Sequence, residues 1–466
     1  MINPQNKRIV LKFGGGVLAS PERIETVISA IKSYKKNTGV FAVVSAFYGI
    51  TDKLLEAINT FKNKSNPYLK LKNVENICLS YIPENFENNY SNNVLHQDVK
   101  KYFKQLYDIF SDTKENLTES QECFVLSFGE RISSMIVCKI LNDNDLNFSL
   151  LFPEDYGFFA QGDCFNAIVD IEKSAESIEK KIDHDKNYLM PGFYAISDEG
   201  KINILGRGGS DYSASALAAC LEAQTMDIWK DVGGFRTADP KIIKNTKKID
   251  FLNYDEAAEL SYFGATILHH QTVVPLYKNN IPIRIFDINE AESEEKSGTI
   301  INGDSSVHKR IIKSLTYSNE IGVLNIKGPQ LGAKQGVLAS ITGNLSNRKI
   351  NIKSVLSGQT EIKIIVSASD IHKALNIIEK SEIQGIEKID TFTDVSLIAL
   401  IGQGITKQYG IGTKIFKSLA TAQINARMIS FGASNVAGYF LVDTKDCIKA
   451  LEVLHEDIVE NGILES

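Results

Sequence analysis

Cysteine is scarce in this chain. The six residues are Cys78, Cys123, Cys138, Cys164, Cys220 and Cys447, and no two form a Cys-x-x-Cys pair. Several lie inside apolar runs. This argues against a zinc ribbon or a disulfide framework and for reduced, buried thiols in a cytoplasmic protein. Histidine is as rare, with seven residues. His269 and His270, read as helical neighbours, would point about 100° apart and share no ion, so no metal site is expected. The N-terminus lacks a charged-apolar-small leader, and no apolar run is long enough to span a bilayer. Positive charge is not in excess either. With 51 Lys and Arg against 57 Asp and Glu, the net charge is −6, which gives no electrostatic footprint for nucleic acid. Two nucleotide signatures are also missing. There is no Gly-x-x-x-x-Gly-Lys-Ser/Thr run, and no Gly-x-Gly-x-x-Gly follows a strand.

What is present is a chain of ordinary composition, 43% apolar and 23% charged, long enough for two or three domains. Residues 7–13 form a continuous apolar run that ends in Gly14-Gly15-Gly16, and a helical pattern follows over 20–34. Residues 40–45 repeat the strand pattern, and Gly49-Ile50-Thr51 opens another helix. Continuous apolar strands alternating with helices predict an α/β/α sandwich around a mainly parallel sheet. Residues 62–120 are polar and helical in pattern and read as an insertion or cap. The alternation continues to about residue 301.

Beyond a charged linker (289–313) the character changes. Ile341, Leu345, Ile350, Val355 and Gly358 recur in the same order as Ile415, Leu419, Ile424, Ile429 and Gly432. This predicts a duplicated α+β module, too long for a solenoid repeat. Neither copy holds a catalytic cluster, which fits a role in binding a ligand or a partner chain. The expected domains are 1–300, 314–390 and 394–466.

The most informative segment runs from Ile204 to Glu222. A short apolar strand enters the turn Gly206-Arg207-Gly208-Gly209-Ser210-Asp211, and a small-residue helix starts there. A helix N-terminus after a Gly-rich turn suits an anion, and an Arg can grip a carboxylate or phosphate with two parallel bonds. Strand ends at 12–16, 45–51, 206–211 and 231–234 would converge at one crevice of a doubly wound sheet. A Lys on the strand just ahead of the glycines is an alternative to the missing phosphate loops, and Lys12 fits that role.

Six segments, in order, now resemble the aspartate kinases of the amino-acid kinase family over nearly the whole chain. They are Lys-Phe-Gly-Gly (12–15), Val-Val-Ser-Ala with Gly-Ile-Thr (43–51), Phe-Gly-Glu-Arg-Ile-Ser (128–133) and Gly-Arg-Gly-Gly-Ser-Asp (206–211). Asp-Val with Gly-Phe and Thr-Ala-Asp-Pro (231–240) and Phe-Gly-Ala with Ile-Leu-His (263–269) complete the set. The C-terminal pair is similar to the ACT domains of that family. The resemblance implies transfer of the ATP γ-phosphate to the β-carboxylate of L-aspartate, with Mg²⁺, as the first step toward lysine, threonine and methionine. It further implies a homodimer and an amino-acid effector at the ACT-like modules. Two alternatives stay open, a kinase for another amino acid and a catalytically silent amino-acid-binding regulator.

By the same resemblance, Lys12 stabilises the phosphates, Arg207 clamps a substrate carboxylate and Glu130 takes the substrate ammonium. Ser45, Thr51, Phe193 and Ser210 complete the amino-acid pocket, and Asp211 holds substrate or organises the magnesium nucleotide. Gly14, Gly15, Gly16, Gly208, Gly209, Lys230, Asp231, Arg236, Asp239, Lys241 and Thr266 fall to the nucleotide. Taken alone, Glu130 also reads as a favourable charge at a helix start.

The departures from the family pattern lie on the nucleotide side. Gly16 stands where Thr is usual, Thr266 where Lys is usual, Arg236 for Tyr and Lys241 for Arg. Lys230 is expected to supply the cation missing at Thr266, and Arg236 to stack on adenine. Lysine-inhibited relatives usually have an acidic residue at or next to Lys353, so a cation there predicts weak or absent lysine inhibition.

Overall fold

The computed structural model describes residues 7–34, 38–83, 90–264, 267–293, 297–303 and 311–460. They form two compact units. The first takes the described residues up to 235, of 248–258 and of 266–307; the second takes those of 236–247, 259–265 and 308 onward.

The first unit is built on twelve strands, some very short. They are β1 (Lys7–Phe13), β2 (Thr38–Val44), β3 (Phe148–Leu150), β4 (Ala160–Gln161), β5 (Ile168–Val169) and β6 (Asn187–Pro191), then β7 (Tyr194–Ile196), β8 (Ile202–Ile204), β9 (Thr225–Lys230), β10 (Phe251–Asn253), β11 (Ile283–Asp287) and β12 (Gly298–Asn302). Among the described residues eight of them make one sheet in the order β10-β12-β11-β9-β1-β2-β6-β3, parallel except between β11 and β12. The strand expected from 7–13 is central. Val10, Leu11 and Phe13 have no exposed surface, as a strand covered on both faces requires.

Among the described residues ten helices accompany the strands, the last turns of α9 belonging to the second unit. They are α1 (Ile24–Lys32), α2 (Ile50–Lys62), α3 (Tyr68–Leu79), α4 (Tyr90–Asp112), α5 (Glu119–Asp143), α6 (Pro153–Tyr156), α7 (Ile171–Glu179), α8 (Gly209–Cys220), α9 (Tyr254–Phe263) and α10 (Val273–Asn279). Helix α5 starts at a capping box. The Thr118 hydroxyl accepts from the Gln121 N–H at 3.3 Å, and the Gln121 side chain accepts from the Thr118 N–H at 2.9 Å.

The segment expected to be a polar insertion is built into the core. Leu71 and Val74 of α3 and Phe103 and Leu106 of α4 are buried in the same cluster as β1 and β2. A narrow apolar stripe on an otherwise polar helix is enough to seat it. Tyr81, just past α3, stacks on Phe47 at 3.7 Å and donates to the Leu18 carbonyl at 2.8 Å.

The second unit holds two antiparallel four-stranded sheets. Its elements are β13 (Ser314–Ser318), β14 (Ile321–Lys327), α11 (Val337–Asn347), β15 (Ser354–Ser357), β16 (Glu361–Ser367), α12 (Ile371–Lys380) and β17 (Lys388–Phe392), followed by β18 (Val395–Ile401), α13 (Ile411–Thr421), β19 (Met428–Phe431), β20 (Ala437–Asp443) and α14 (Cys447–Leu454). The repeated apolar positions are the buried faces of equivalent helices, Ile341 and Leu345 in α11 and Ile415 and Leu419 in α13.

The sheets divide this stretch differently from the expected 314–390 and 394–466. Strand β13 pairs with β18, so residues 314–318 complete the second sheet, β13-β18-β20-β19. The first sheet is β15-β16-β14-β17 and takes its own edge strand from 388–392. Register Thr316↔Ala399 gives β13 an apolar neighbour already half paired with β20, a long-range match that local periodicity does not report. No helix among the described residues is long and apolar enough to cross a membrane.

Candidate active site

Lys12 is the penultimate residue of β1, paired in register with Val43 of β2 and Ile228 of β9. Only 5% of it is exposed, yet its ammonium reaches the end of the strand and forms an ion pair with Asp211. Asp211 sits in the first turn of α8, where Gly208 caps the helix at φ 72°. That φ favours glycine, and a Cβ at Gly208 would lie 2.4 Å from the His269 side chain. Lys230 closes β9 and brings a second ammonium to 3.4 Å from Asp211, while also donating to the Ile267 carbonyl. One buried carboxylate is thus shared by two cations. Burial alone would raise the Asp211 carboxyl, but Lys12 and then Lys230 override it and hold it at about 2. The same burial lowers the Lys12 ammonium, against the pull of Asp211.

Glu130 approaches from the other side. It lies in the middle of α5 and not at a helix start, so the first-turn reading is set aside. Gly129 allows the approach, since a Cβ there would come within 2.7 Å of Ala46. Glu130 is 3% exposed, and its Oε2 has no hydrogen-bond partner. Burial pushes its carboxyl up to about 8, although the Ala46 N–H, Lys12 and Ser210 pull the other way. A buried acid with one unsatisfied oxygen is suited to a ligand that brings its own cation.

Lys12, Asp211 and Glu130 line one cleft of about 340 Å³ together with Gly15, Gly16, Ser45, Thr51, Phe193, Gly208, Gly209 and Ser210; Lys230 touches Asp211 from outside this lining. Phe193 holds φ 74°, an uncommon value for a side chain of this size. It is fixed there by Ser213 Oγ, which accepts from its N–H at 2.9 Å, and by its carbonyl, which accepts from the Leu205 N–H at 2.9 Å. Gly14 lies just off the cleft, where a Cβ would crowd the Lys12 ammonium at 3.2 Å. A Cβ at Gly16 would make ordinary contact with the exposed Asp231 carboxylate at 3.6 Å.

Other expected residues are not brought to this cleft. Arg207 is exposed and outside its lining. Arg236, Asp239 and Lys241 fold with the second unit. The Arg236 guanidinium donates to Thr246 Oγ1 at 2.7 Å and to the Thr246 carbonyl at 2.5 Å, and Asp239 accepts from the Lys241 N–H at 2.9 Å. Thr266 lies outside the described residues. His269 is extended and not helical, and its ring stacks on His270 with centroids 4.3 Å apart. Burial and His270 push it down to about 4, leaving it neutral. No group of three metal-ligating side chains occurs among the described residues.

Ala46, Phe47, Tyr48 and Gly49, within the 45–51 segment expected at the crevice but given no individual role, also line the cleft, as does Asp52, which the sequence did not single out. The first four lie in the loop between β2 and α2, and Asp52 in the first turn of α2 beside Thr51.

Comparison with known proteins gives the family. The amino acid kinase family model matches residues 7–287, and an ACT domain model matches 398–458. A bifunctional aspartokinase/homoserine dehydrogenase of Buchnera aphidicola is 32% identical over 97% of this chain, which spans only 56% of that relative. The similar enzyme of Haemophilus influenzae is 28% identical, again with 56% of its length spanned. Among solved structures, Escherichia coli aspartokinase III matches the fold with a TM-score of 0.84 at 24% identity, covering 97% of this chain and all of that one. Clostridium acetobutylicum aspartate kinase gives 0.74 at 26% identity, covering 96% and 99%. With more than half of its length under one family model, this chain belongs to the amino acid kinase family.

Proposed function

We propose that this chain phosphorylates the β-carboxylate of L-aspartate from Mg-ATP, giving 4-phospho-L-aspartate and ADP. The observation that carries the reading is one cleft lined by the Lys12–Asp211 pair and a buried, part-satisfied Glu130, with a second ammonium, that of Lys230, reaching Asp211 from the end of β9. The cations suit a triphosphate, and Glu130 suits an α-ammonium. The E. coli relative of like fold was solved with aspartate and ADP, which supports the same pair of ligands here.

The substrate carboxylate has a pKa of about 4 and is ionised at neutral pH, so it attacks the γ-phosphorus without a general base. The bond to the β–γ bridging oxygen breaks, and ADP leaves with the electron pair. Lys12 neutralises charge on the moving phosphoryl group, and Lys230 supplies the cation absent at Thr266. Gly15, Gly16 and the N–H groups at the start of α8 receive phosphate oxygens. Glu130 holds the ammonium, Arg207 swings in to clamp the α-carboxylate, and Ser45, Thr51, Phe193 and Ser210 shape the pocket. Mg²⁺, when bound with the nucleotide, neutralises phosphate charge. Asp211 would be the carboxylate to hold it, since magnesium keeps most of its waters and needs few protein ligands.

Asp231, Gly14, Gly208 and Gly209 complete the nucleotide side of this reading. The catalytic part ends near residue 300, and the paired C-terminal modules receive an amino-acid effector and join two copies of the chain. Six unpaired thiols suit the cytoplasm. The deciding experiment is ADP release from Mg-ATP with and without aspartate. Aspartate-dependent release is expected, and equal release in both would end the reading.

A further inference from the structure

A second cavity, of about 510 Å³, lies in the first unit between α4, α5, α6 and the β7–β8 hairpin. It is larger than the catalytic cleft and shares no residue with it. It is lined by Arg131, the residue after Glu130. One step along α5 turns the side chain about 100°, so consecutive residues serve different hollows.

Arg131 is 6% exposed, and a buried guanidinium needs partners. It has some. Nε donates to Ser127 Oγ at 3.1 Å, Nη1 donates to Glu154 Oε1 at 2.6 Å, and the planar group lies over the Tyr194 ring at 4.7 Å. A structural Arg–carboxylate pair usually closes as a two-bond fork. Here the fork is open. Glu154 gives its second oxygen to the Tyr194 hydroxyl, which donates at 3.2 Å, and Nη2 has no hydrogen-bond partner among the described residues. The cavity is also lined by Tyr102, Phe124 and Ile202, and the guanidinium lies 5.5 Å from the Phe124 ring centroid.

We infer that this cavity is a second small-molecule site, built for a flat apolar body carrying one carboxylate, an aromatic monocarboxylate being the fitting class. The carboxylate takes the open N–H bonds of Nη2, and the ring lies against Phe124 and Tyr102. Gln105 and Ser120 sit at the exposed rim.

The test is calorimetric titration of the full chain with benzoate, with benzamide as the neutral control. Saturable benzoate binding is expected, weakened about tenfold in benzamide, the equivalent of one charge-assisted bond. Ser120→Trp, at the exposed first turn of α5, fills the mouth and abolishes binding without touching the buried pair. Arg131→Lys keeps the charge but loses the fork and weakens benzoate by a similar factor. Saturating aspartate leaves binding unchanged. Absence of saturable benzoate binding, binding that survives Ser120→Trp, or displacement by aspartate would each overturn the assignment. None of these results depends on kinase activity, so the proposed reaction stands or falls separately.

Discussion

Lys12 and Asp211 meet at the floor of the cleft, one from the end of the central strand and the other from the first turn of α8. Each is over nine-tenths buried. A buried pair of this kind is weak evidence for stability, because desolvation offsets most of the attraction. Its value lies in a cation that can exchange a carboxylate for a phosphate. Lys12→Met should therefore lower kcat by about 10²–10³-fold, or about 3–4 kcal/mol of transition-state stabilisation. Steady-state ADP release checks it, and a loss below tenfold would remove Lys12 from the reaction.

Lys230 is the chain-specific element of the site. Its ammonium reaches both Asp211 and the Ile267 carbonyl, next to the Thr266 position. Lys230→Ala should raise the KM for ATP several-fold and leave the KM for aspartate nearly unchanged. A KM for ATP within twofold of the parent would dispose of the compensating role.

Glu130 gives the pH dependence. Its carboxyl stands at about 8 in the folded chain against an ordinary 4.5, so the folded state holds this proton more tightly than the unfolded one. The stability contribution is present below pH 4.5 and lost as pH rises to about 8. Glu130→Gln should accordingly raise Tm relative to the parent at pH 8 but not at pH 4.5. The ionised form is the one that binds an ammonium. The KM for aspartate should therefore fall as pH rises from 6 to 8 in the parent, and Glu130→Gln should flatten that slope. A slope unaffected by the substitution would assign the titration elsewhere.

Gly208→Ala tests the turn. The residue needs φ 72° and has His269 carbon atoms where a Cβ would go. Strain and overlap together should cost about 2 kcal/mol or more in a denaturant melt, with activity lost in parallel. Gly49→Ala is the control, since it has similar φ but nothing within 4 Å. Equal destabilisation of the two would show that packing on His269 contributes nothing.

Lysine should inhibit weakly or not at all. Lys353 is half-buried, and burial lowers its ammonium while Glu320 pulls it up. A lysine titration of activity with half-inhibition in the micromolar range would contradict this.

Much of the first unit was legible because its signals are local. The run 7–13 could only be a strand covered on both faces, and a Lys within it had to reach a partner at the strand end. Repeated Ile and Leu at helical spacing marked α11 and α13 for the same reason. Glu130 was misplaced because α5 is buried nearly all round from Glu122 to Leu141, which erases the periodicity that marks a helix start. The pairing of β13 with β18 and the folding of 236–247 with the second unit were invisible because both join residues far apart in sequence. No residue pattern announced the open guanidinium of Arg131, which depends on where Glu154 and Tyr194 arrive in space.

The exchanged edge strand has a consequence for dissection. Since 314–318 finish the sheet that begins again at Val395, everything from Ile321 to Phe392 is a passenger whose two ends are tethered to neighbouring strands of its host. Cutting the chain between Phe392 and Val395 frees neither half. It strips the host of an edge and lengthens a closed loop into an open tail, so the two modules should melt as one.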